Sequence, residues 1–319
     1  MIEIRNLTKR YGSIAAVDDI SFQVKKGEVV GFLGPNGAGK TTTMKIITGF
    51  IGPTDGEVLI SGRDVFDHPM ETKKIIGYLP ETPPLYLDQR VEEYLHFVAN
   101  LKLTPKANIK ALVDKAIEKT NLGEVRKRII GHLSKGFRQR VGIAQALVSD
   151  PEILILDEPT VGLDPRQVAE VRDLINGLRG EHTIVLSTHI LPEVQATCER
   201  IIIINKGKIV AEDTLEGLSD KMQGSKSLEV KTQKSDEGFI KSLQSLNGVI
   251  NVNHLSNGNG NTFQITFDGK EDTQVEILSQ VVSKNVGLLE AKVNSINLED
   301  IFIKLTDTQA SEQNNEEGV

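Results

Sequence analysis

The sequence predicts an α/β fold in which one sheet carries a glycine-rich loop, followed by a smaller α+β domain. Three observations support this prediction. The glycine-rich loop lies between a strand-like run and a helix-like run near residue 40. Apolar strand-like runs alternate with helical stretches over residues 1–220, a pattern typical of parallel sheets covered by helices. Residues 225–305 then form shorter elements between turns rich in Ser, Asn and Gly.

The composition restricts the classes of function. With 319 residues, the chain is long enough for two domains. Its formal net charge of -7 argues against a nucleic-acid binder, so we expect no nucleic-acid partner. The single cysteine, Cys198, excludes an internal disulfide, and its surroundings predict a packing role. No apolar run approaches the roughly 18 residues of a membrane span, and Met1–Arg5 has no apolar signal region. Any membrane role is therefore expected to come through a partner subunit.

The glycine-rich loop has the pattern G-x-x-x-x-G-K-T over Gly34–Thr41, between the strand-like run Val29–Leu33 and a helix. Glycines let backbone N–H groups approach phosphate oxygens, and the helix N-terminus adds unpaired donors. Lys40 is predicted to reach the β- and γ-phosphates and Thr41 to ligate Mg²⁺. The competing interpretation is a glycine-rich turn that matches by chance. The residues predicted to contact nucleotide here are Gly34, Pro35, Asn36, Gly37, Ala38, Gly39, Lys40, Thr41 and Thr42.

Two acidic residues follow a second buried strand. The apolar run Ile153–Leu156 ends abruptly in Asp157 and Glu158. Ligands of open α/β sheets bind at the carboxyl ends of such strands. Asp157 is predicted to hold Mg²⁺, and Glu158 to orient or deprotonate the water that attacks the γ-phosphate. The alternative is a pair of solvated acids at a strand end.

A histidine ends the next apolar run, Thr183–Thr188, at His189. The other five histidines are predicted to lie in loops or on the surface. A histidine at the carboxyl end of a core strand can form a hydrogen bond with a phosphate. The alternative is a structural histidine whose hydrogen bonds are satisfied within the fold.

Four further segments belong to the first domain. Tyr11 precedes Gly12 between two strand-like runs, where it either stacks on a purine base or packs at a strand end. The prolines of 80–86 predict a stiff loop, and 91–122 has helical spacing in two pieces. Ser134 suits the N-cap of a helix that runs to Val148. Taken alone, this serine predicts only a capped helix and no binding role.

Together these segments resemble the ATP-binding subunit of an ATP-binding-cassette (ABC) transporter, over about residues 1–220. The resemblance implies a P-loop nucleotide hydrolase fold with a helical insert at about 88–150. It also implies that ATP and Mg²⁺ are the cofactors and that Tyr11 stacks on adenine. Gly162-Leu163-Asp164 corresponds to the family's D-loop, with Asp164 near the nucleotide, and His189 to its switch histidine.

The signature motif of the same family corresponds to Leu133–Phe137. In such proteins two cassettes pair head to tail, so the resemblance implies that Ser134 and Gly136 contact the nucleotide of a second copy. It further implies integral membrane permease subunits as partners and a peripheral position at the cytoplasmic face of the cell membrane. The family's signature reads Leu-Ser-Gly-Gly-Gln, and here Lys135 replaces its first glycine and Phe137 its glutamine. Lys135 either adds positive charge beside ATP or faces solvent.

A third departure is Glu81, which stands where the family usually has a glutamine that approaches the nucleotide and Mg²⁺. A carboxylate can still approach the ion, but it accepts hydrogen bonds only. The surrounding segment 77–86 resembles a narrower group, the ATPases of two-component exporters of the ABC-2 type. That group includes drug, sodium and copper-linked exporters and a bacterial gliding-motility ATPase, which the chain resembles most.

Beyond residue 225, the order of predicted elements is β-α-β-β-α-β, which gives a small two-layer accessory domain over 225–305. A closing helix at Leu298–Leu305 is predicted to follow these six elements, and the polar, acidic tail 306–319 is predicted to be disordered. No catalytic group of residues is evident in this region.

Two other classes of function remain as alternatives to a transporter ATPase. One is a soluble ABC ATPase that acts on a macromolecular partner such as a ribosome. The other is an unrelated P-loop kinase or GTPase, which predicts neither the Ser134-containing motif nor His189. The sequence therefore favours an ATP-hydrolysing subunit that powers export, or gliding-linked machinery, through separate membrane subunits.

Overall fold

A computed structural model describes residues 1–215, 217, 226–234, 237–257, 260–284 and 286–295 of the protein. The chain divides into two units, Met1–Thr214 and Leu215–Val319. The strands of the first unit are β1 (Ile2–Tyr11), β2 (Ile14–Val24), β3 (Val29–Leu33), β4 (Asp55–Ile60), β5 (Arg63–Asp64), β6 (Ile76–Leu79), β7 (Ile153–Asp157), β8 (Thr183–Thr188), β9 (Arg200–Asn205) and β10 (Lys208–Thr214). Its helices are α1 (Lys40–Ile47), α2 (Pro69–Ile75), α3 (Val91–Leu101), α4 (Lys106–Lys119), α5 (Lys135–Leu147), α6 (Pro165–Gly177) and α7 (Leu191–Thr197), with short 3-10 turns at Gly123–Val125 and Ile130–His132.

The central sheet of the first unit has the order β10-β9-β3-β8-β7-β6. The five strands from β9 to β6 run parallel, and β10 pairs antiparallel at the edge. Every residue of β3, β7 and β8 is buried. This burial explains their continuous apolar runs, because helices or a second sheet cover both faces. The carboxyl ends of β3, β7 and β8 meet at one edge, as the sequence predicted.

A second, antiparallel sheet has the order β2-β1-β4-β5. Its apolar side chains share one core with the central sheet, in which Phe22 and Phe32 lie 5.5 Å apart between ring centroids. Helix α7 packs so closely on β3 that a Cβ at Gly31 would collide with Val194. Cys198 is buried beside the same glycine, which confirms its packing role.

The structure corrects three details of the sequence-based prediction. The apolar run from Ile75 to Leu79 predicts one strand, but Ile75 ends α2, a short helix that begins at Pro69 and was not predicted. The sequence also places Tyr11 in a loop, whereas in the structure it is the last residue of β1. His182 is buried, not superficial, and its Nδ1 lies 2.6 Å from the carbonyl oxygen of Pro151.

The second unit contains β11 (Lys226–Thr232), α8 (Glu237–Gln244), β12 (Val249–Asn257), β13 (Gly260–Phe267), α9 (Glu271–Ser283) and β14 (Leu288–Ser295). The strands pair antiparallel in the order β12-β13-β11-β14. The β-α-β-β-α-β order is therefore the predicted one. Its core includes Phe239 and Phe263, whose rings meet edge to face at 5.1 Å. The predicted helix at 298–305 and the tail 306–319 lie outside the described residues.

Within the described ranges, the helices are too short or too polar to cross a membrane.

Candidate functional site

The loop between β3 and α1 needs glycine at two positions because of its close contacts. A Cβ at Gly34 would collide with the carbonyl oxygen of Ile204, and one at Gly39 with that of Ala16. Gly39 also has φ +107, a backbone conformation that side chains disfavour. The loop therefore lies against β9 and β2, and its N–H groups precede the N-terminus of α1. This geometry suits phosphate oxygens.

Lys40, the first residue of α1, points back into the loop. Its Nζ donates to the carbonyl oxygens of Gly34 (2.8 Å) and Pro35 (3.1 Å). The same ammonium lies 3.3 Å from Oε1 of Glu158, and both side chains are less than a tenth exposed. Phosphate oxygens near the loop would thus meet a buried, pre-positioned positive charge.

Asp157 ends β7 with a carboxylate that is only half satisfied. Its Oδ1 accepts hydrogen bonds from the hydroxyls of Thr41 (3.3 Å) and Ser187. Its Oδ2 is buried and has no hydrogen-bond partner among the described residues. Burial raises the pKa of Asp157, and the nearby charges of Glu158 and Glu81 raise it further against the lowering effect of the two hydroxyls.

These oxygen groups fit a magnesium ion. The unpaired Oδ2 of Asp157 and the adjacent hydroxyl of Thr41 are hard ligands, and Glu81 lines one cavity together with Thr41. Mg²⁺ is usually held by one or two carboxylates together with substrate phosphates and water. In the described part of the chain, no group of three or more His, Cys, Asp or Glu side chains could hold a metal by itself. The ion would therefore depend on phosphate oxygens as further ligands.

Glu158 lies between a lysine and a histidine. Its Oε2 is 2.9 Å from Nδ1 of His189, while its Oε1 faces Lys40. The residue has φ 49, in the left-handed region, and its N–H donates to the carbonyl oxygen of Ser187 at 3.0 Å. Left-handed backbone in a non-glycine residue is uncommon and concentrates at functional sites. The carboxylate is therefore fixed at the carboxyl ends of β7 and β8.

A cavity of about 460 Å³ joins these groups. Two residues that the sequence did not single out, Ala16 and Val161, also line it. Val161 follows Glu158 by three residues, which is the one local signal available for it. The predicted residues that line the cavity are Asn36, Gly37, Gly39, Lys40, Thr41, Thr42, Glu81, Glu158 and His189. Those that do not line it are Tyr11, Gly34, Pro35, Ala38, Ser134, Gly136, Asp157 and Asp164, although Asp157 contacts Thr41.

The signature and D-loop residues lie together at the start of two helices. The side chain of Ser134 caps α5 by accepting from the N–H of Phe137 (3.4 Å), which confirms the predicted N-cap. Asp164 caps α6 in the same way, by accepting from the N–H of Gln167 at 2.9 Å. A Cβ at Gly136 would lie 2.6 Å from Cδ of Gln167, so the two helix starts are in close contact.

Lys135 packs against the D-loop. Its Nζ occupies the space where a Cβ of Gly162 would lie, and Gly162 has φ +67. The side chain of Lys135 therefore lies against the D-loop of its own chain. Tyr11, in contrast, is 52 % exposed, with the Lys9 ammonium 5.4 Å from its ring centroid.

The fold and the site define a nucleotide hydrolase of the P-loop class, with phosphate loop, acidic strand and histidine on adjacent parallel strands. Comparison with known proteins supports this assignment to the P-loop class. The sequence profile of the ABC transporter family matches residues 17–161. The bacitracin transport ATP-binding protein BcrA of Bacillus licheniformis is 34 % identical over 96 % of this chain and 97 % of its own length.

Two further relatives extend the comparison. The lantibiotic transport ATP-binding protein SrtF of Streptococcus pyogenes is 37 % identical, over 68 % of this chain and 92 % of its own. A solved dimeric ATP-binding cassette, in a post-hydrolysis state bound to ADP and Pi, matches with a TM-score of 0.61 and 29 % identity. That match covers 67 % of this chain and 99 % of the solved one. The chain belongs to the ATP-binding subunits of ABC transporters, and it is an ATPase.

Asparagine in place of Asp157 is expected to stabilise the protein in the absence of nucleotide and Mg²⁺. The change removes a buried negative charge that faces Glu158 and Glu81. If the gain is about 1 kcal/mol, the unfolding temperature rises by about 2–4 °C. Thermal unfolding in magnesium-free buffer measures this change, with Asp173→Asn at an exposed position of α6 as the control. An unchanged or lower unfolding temperature would show that the charge of Asp157 does not destabilise the folded protein.

The sign of the pH dependence follows from the same shift. Because the folded-state pKa of Asp157 is raised, the folded protein retains this proton at pH values where the unfolded chain has lost it. The contribution of Asp157 to stability therefore falls as pH rises from the unfolded pKa through the folded one. Asp157→Asn should remove this part of the pH dependence.

Proposed function

We propose that this chain is the motor subunit of an exporter: it hydrolyses ATP at two sites shared between two copies and drives separate integral membrane permease subunits. The observation that carries the proposal is the meeting of Lys40, Glu158 and His189 in one cavity beside the phosphate loop. The relatives that act in bacitracin and lantibiotic transport support a role in export.

The residues of the cavity then have defined roles. Lys40 and the loop N–H groups would bind the β- and γ-phosphates, while Thr41, Asp157 and Glu81 would hold Mg²⁺. The ion, when bound, neutralises charge on the phosphates. Glu158 accepts the proton of the attacking water, and His189 orients that carboxylate and contacts the γ-phosphate.

A second copy completes each site in this proposal. Ser134, Gly136 and Asp164 do not line the phosphate cavity of their own chain. Their positions at two adjacent helix starts, with Ser134 exposed, suit contact with another copy. A head-to-tail homodimer would bring them to the nucleotide, and the dimeric state of the solved cassette supports this arrangement. Tyr11, with its exposed ring, would stack on adenine.

The domain assignment is also part of the proposal. We assign 1–220 to ATP binding, with a helical subdomain at about 88–150, and 225–305 to an accessory domain. The polar tail at 306–319 is assigned no function.

An apolar groove on the first unit is the proposed site for the membrane partner. It encloses about 590 Å³ and is lined by Phe50, Met70 and Leu101, which are 74 %, 61 % and 65 % exposed. Pro84 and Tyr86 of the stiff loop border it, so the groove adjoins the segment that also carries Glu81. Large exposed apolar side chains collected in one groove mark a protein-interaction site. We propose that a cytoplasmic segment of a permease subunit occupies it, which places the protein peripherally at the inner face of the cell membrane.

Purification of the tagged protein from its own membranes tests this proposal. We expect a polytopic membrane protein to co-purify with the wild-type chain. Phe50→Glu should reduce its recovery at least several-fold without changing ATP binding, because a charge would enter the apolar contact. Phe66→Glu, at an exposed phenylalanine outside the groove, is the matched control. Recovery only with soluble proteins would instead support an ABC ATPase that acts on a macromolecule.

Gliding-linked machinery is the narrower form of the proposal. It rests on the resemblance of residues 77–86 to the gliding-motility ATPase GldA. The sequence of the co-purifying membrane protein distinguishes gliding machinery from a drug or peptide exporter.

A further inference from the structure

A buried glutamate outside the phosphate cavity connects two of its walls. Glu193 lies in the first turn of α7 and is 6 % exposed. One carboxylate oxygen accepts a hydrogen bond from the hydroxyl of Thr160, and the other accepts from that of Thr188 at 2.8 Å. Both threonines are buried as well. In both hydrogen bonds the threonine hydroxyl is the donor, so both hydroxyl protons are directed at the carboxylate.

The two threonines belong to the segments that carry the groups at the γ-phosphate. Thr160 follows Glu158 by two residues, and Thr188 immediately precedes His189. The hydroxyl of Thr188 also accepts from the N–H of Ile190 at 3.1 Å, so it fixes the backbone on both sides of the histidine. The Glu193 carboxylate therefore links the turn after β7 to the end of β8.

The helix that carries Glu193 is packed tightly against β3. Helix α7 leaves no room for a side chain at Gly31 of β3, because Val194 fills that space. The carbonyl oxygen of Thr188 also accepts from the N–H of Gly34, the first residue of the phosphate loop, at 3.3 Å. A shift of Glu193 would thus alter the spacing between the turn, the histidine and the loop.

We propose that Glu193 is a positioning residue for ATP hydrolysis, which holds the segments of Glu158 and His189 at a fixed separation through Thr160 and Thr188. The inference rests on the roles proposed above for Glu158 and His189. It does not require Glu193 to touch nucleotide. Catalysis is sensitive to such spacing, since a displacement of about 1 Å can lower a rate by about 10²-fold.

Steady-state ATP hydrolysis by the full-length chain tests the proposal. Glu193→Ala is expected to lower kcat by about 10-fold or more, with KM and the affinity for ATP within about twofold of wild type. Glu193→Gln should retain most of kcat, because its amide can accept from Thr188 and donate to a reoriented Thr160 hydroxyl. Thr160→Val and Thr188→Val should each lower kcat. Combined with Glu193→Ala, either should add little, since the residues act as one unit.

Thr120→Val is the matched control. Thr120 is also fully buried, but its hydroxyl donates to the carbonyl oxygen of Ala116 within its own helix segment, far in sequence from the site. We expect its kcat to match wild type. If Glu193→Ala lowers only the unfolding temperature and leaves kcat per folded molecule unchanged, the positioning role is wrong. Should Glu193→Ala fail to fold, unchanged kcat in both threonine variants overturns the proposal equally.

Failure of this inference is distinguishable from failure of the proposed function. Near-normal hydrolysis by Glu158→Gln would remove the base assignment on which the inference rests. If Glu158→Gln is inactive but Glu193→Ala keeps its kcat, the positioning role of Glu193 is wrong and the proposed function still stands.

Discussion

Glu158→Gln is expected to lower kcat for ATP hydrolysis by about 10²–10⁴-fold while ATP still binds, because a neutral amide cannot accept the proton of the attacking water. The amide keeps the shape of the carboxylate and can still accept from Nδ1 of His189. It gives up the charge that attracts the Lys40 ammonium at 3.3 Å, which leaves the lysine freer for phosphate. Slow turnover with intact binding should therefore trap dimers with ATP.

Two measurements check this prediction. Phosphate release gives kcat, and size-exclusion chromatography with and without ATP gives the dimer fraction. Glu152→Gln is the control, since Glu152 is exposed and precedes the opposite end of the same strand. Hydrolysis close to the wild-type rate would show that Glu158 is not the general base.

Lys40→Ala is expected to weaken ATP binding by about 10²-fold and to reduce hydrolysis below detection. The loss of a charge-assisted contact of about 3 kcal/mol corresponds to this factor. The variant also leaves Glu158 without its buried cationic partner, so the free protein should be destabilised. Binding of a fluorescent ATP analogue and thermal unfolding separate the two effects.

Lys45→Ala provides a matched loss of charge within the same helix, and both ATP affinity and kcat should stay near wild type. An unchanged ATP affinity and kcat in Lys40→Ala would refute the assignment of Gly34–Thr41 to phosphate binding. If ATP affinity falls only in proportion to the loss of folded protein, Lys40 acts through Glu158 and not on the phosphates.

Much of the fold and the centre of the site could be predicted because their signals are local. The loop pattern at Gly34–Thr41 and the acids after Ile153–Leu156 each lie within a few residues of a recognisable strand. Since parallel strands end at one edge, adjacent strand ends predict adjacent side chains. The prolines at 80–86 likewise predicted the loop that the structure contains.

The remaining features depend on contacts between distant residues. His182 is buried through a partner 31 positions away, and Glu193 meets Thr160 across 33 positions. The periodicity of apolar residues along the sequence gives no information on such long-range contacts. The helix at Pro69–Ile75 was missed because seven residues with one buried side chain give almost no amphipathic signal. Its local signals were the proline at its start, Glu71 in its first turn and two lysines in its last.

The contact between Lys135 and Gly162 has a consequence for how this sequence can change during evolution. The Nζ of Lys135 lies where a Cβ at position 162 would stand, but it is the end of a flexible side chain that can move away. The backbone at Gly162 has φ +67, which strains any other residue whatever stands at position 135. A shorter residue at 135 would therefore not make a side chain at 162 acceptable. We expect position 162 to remain glycine while position 135 varies in length.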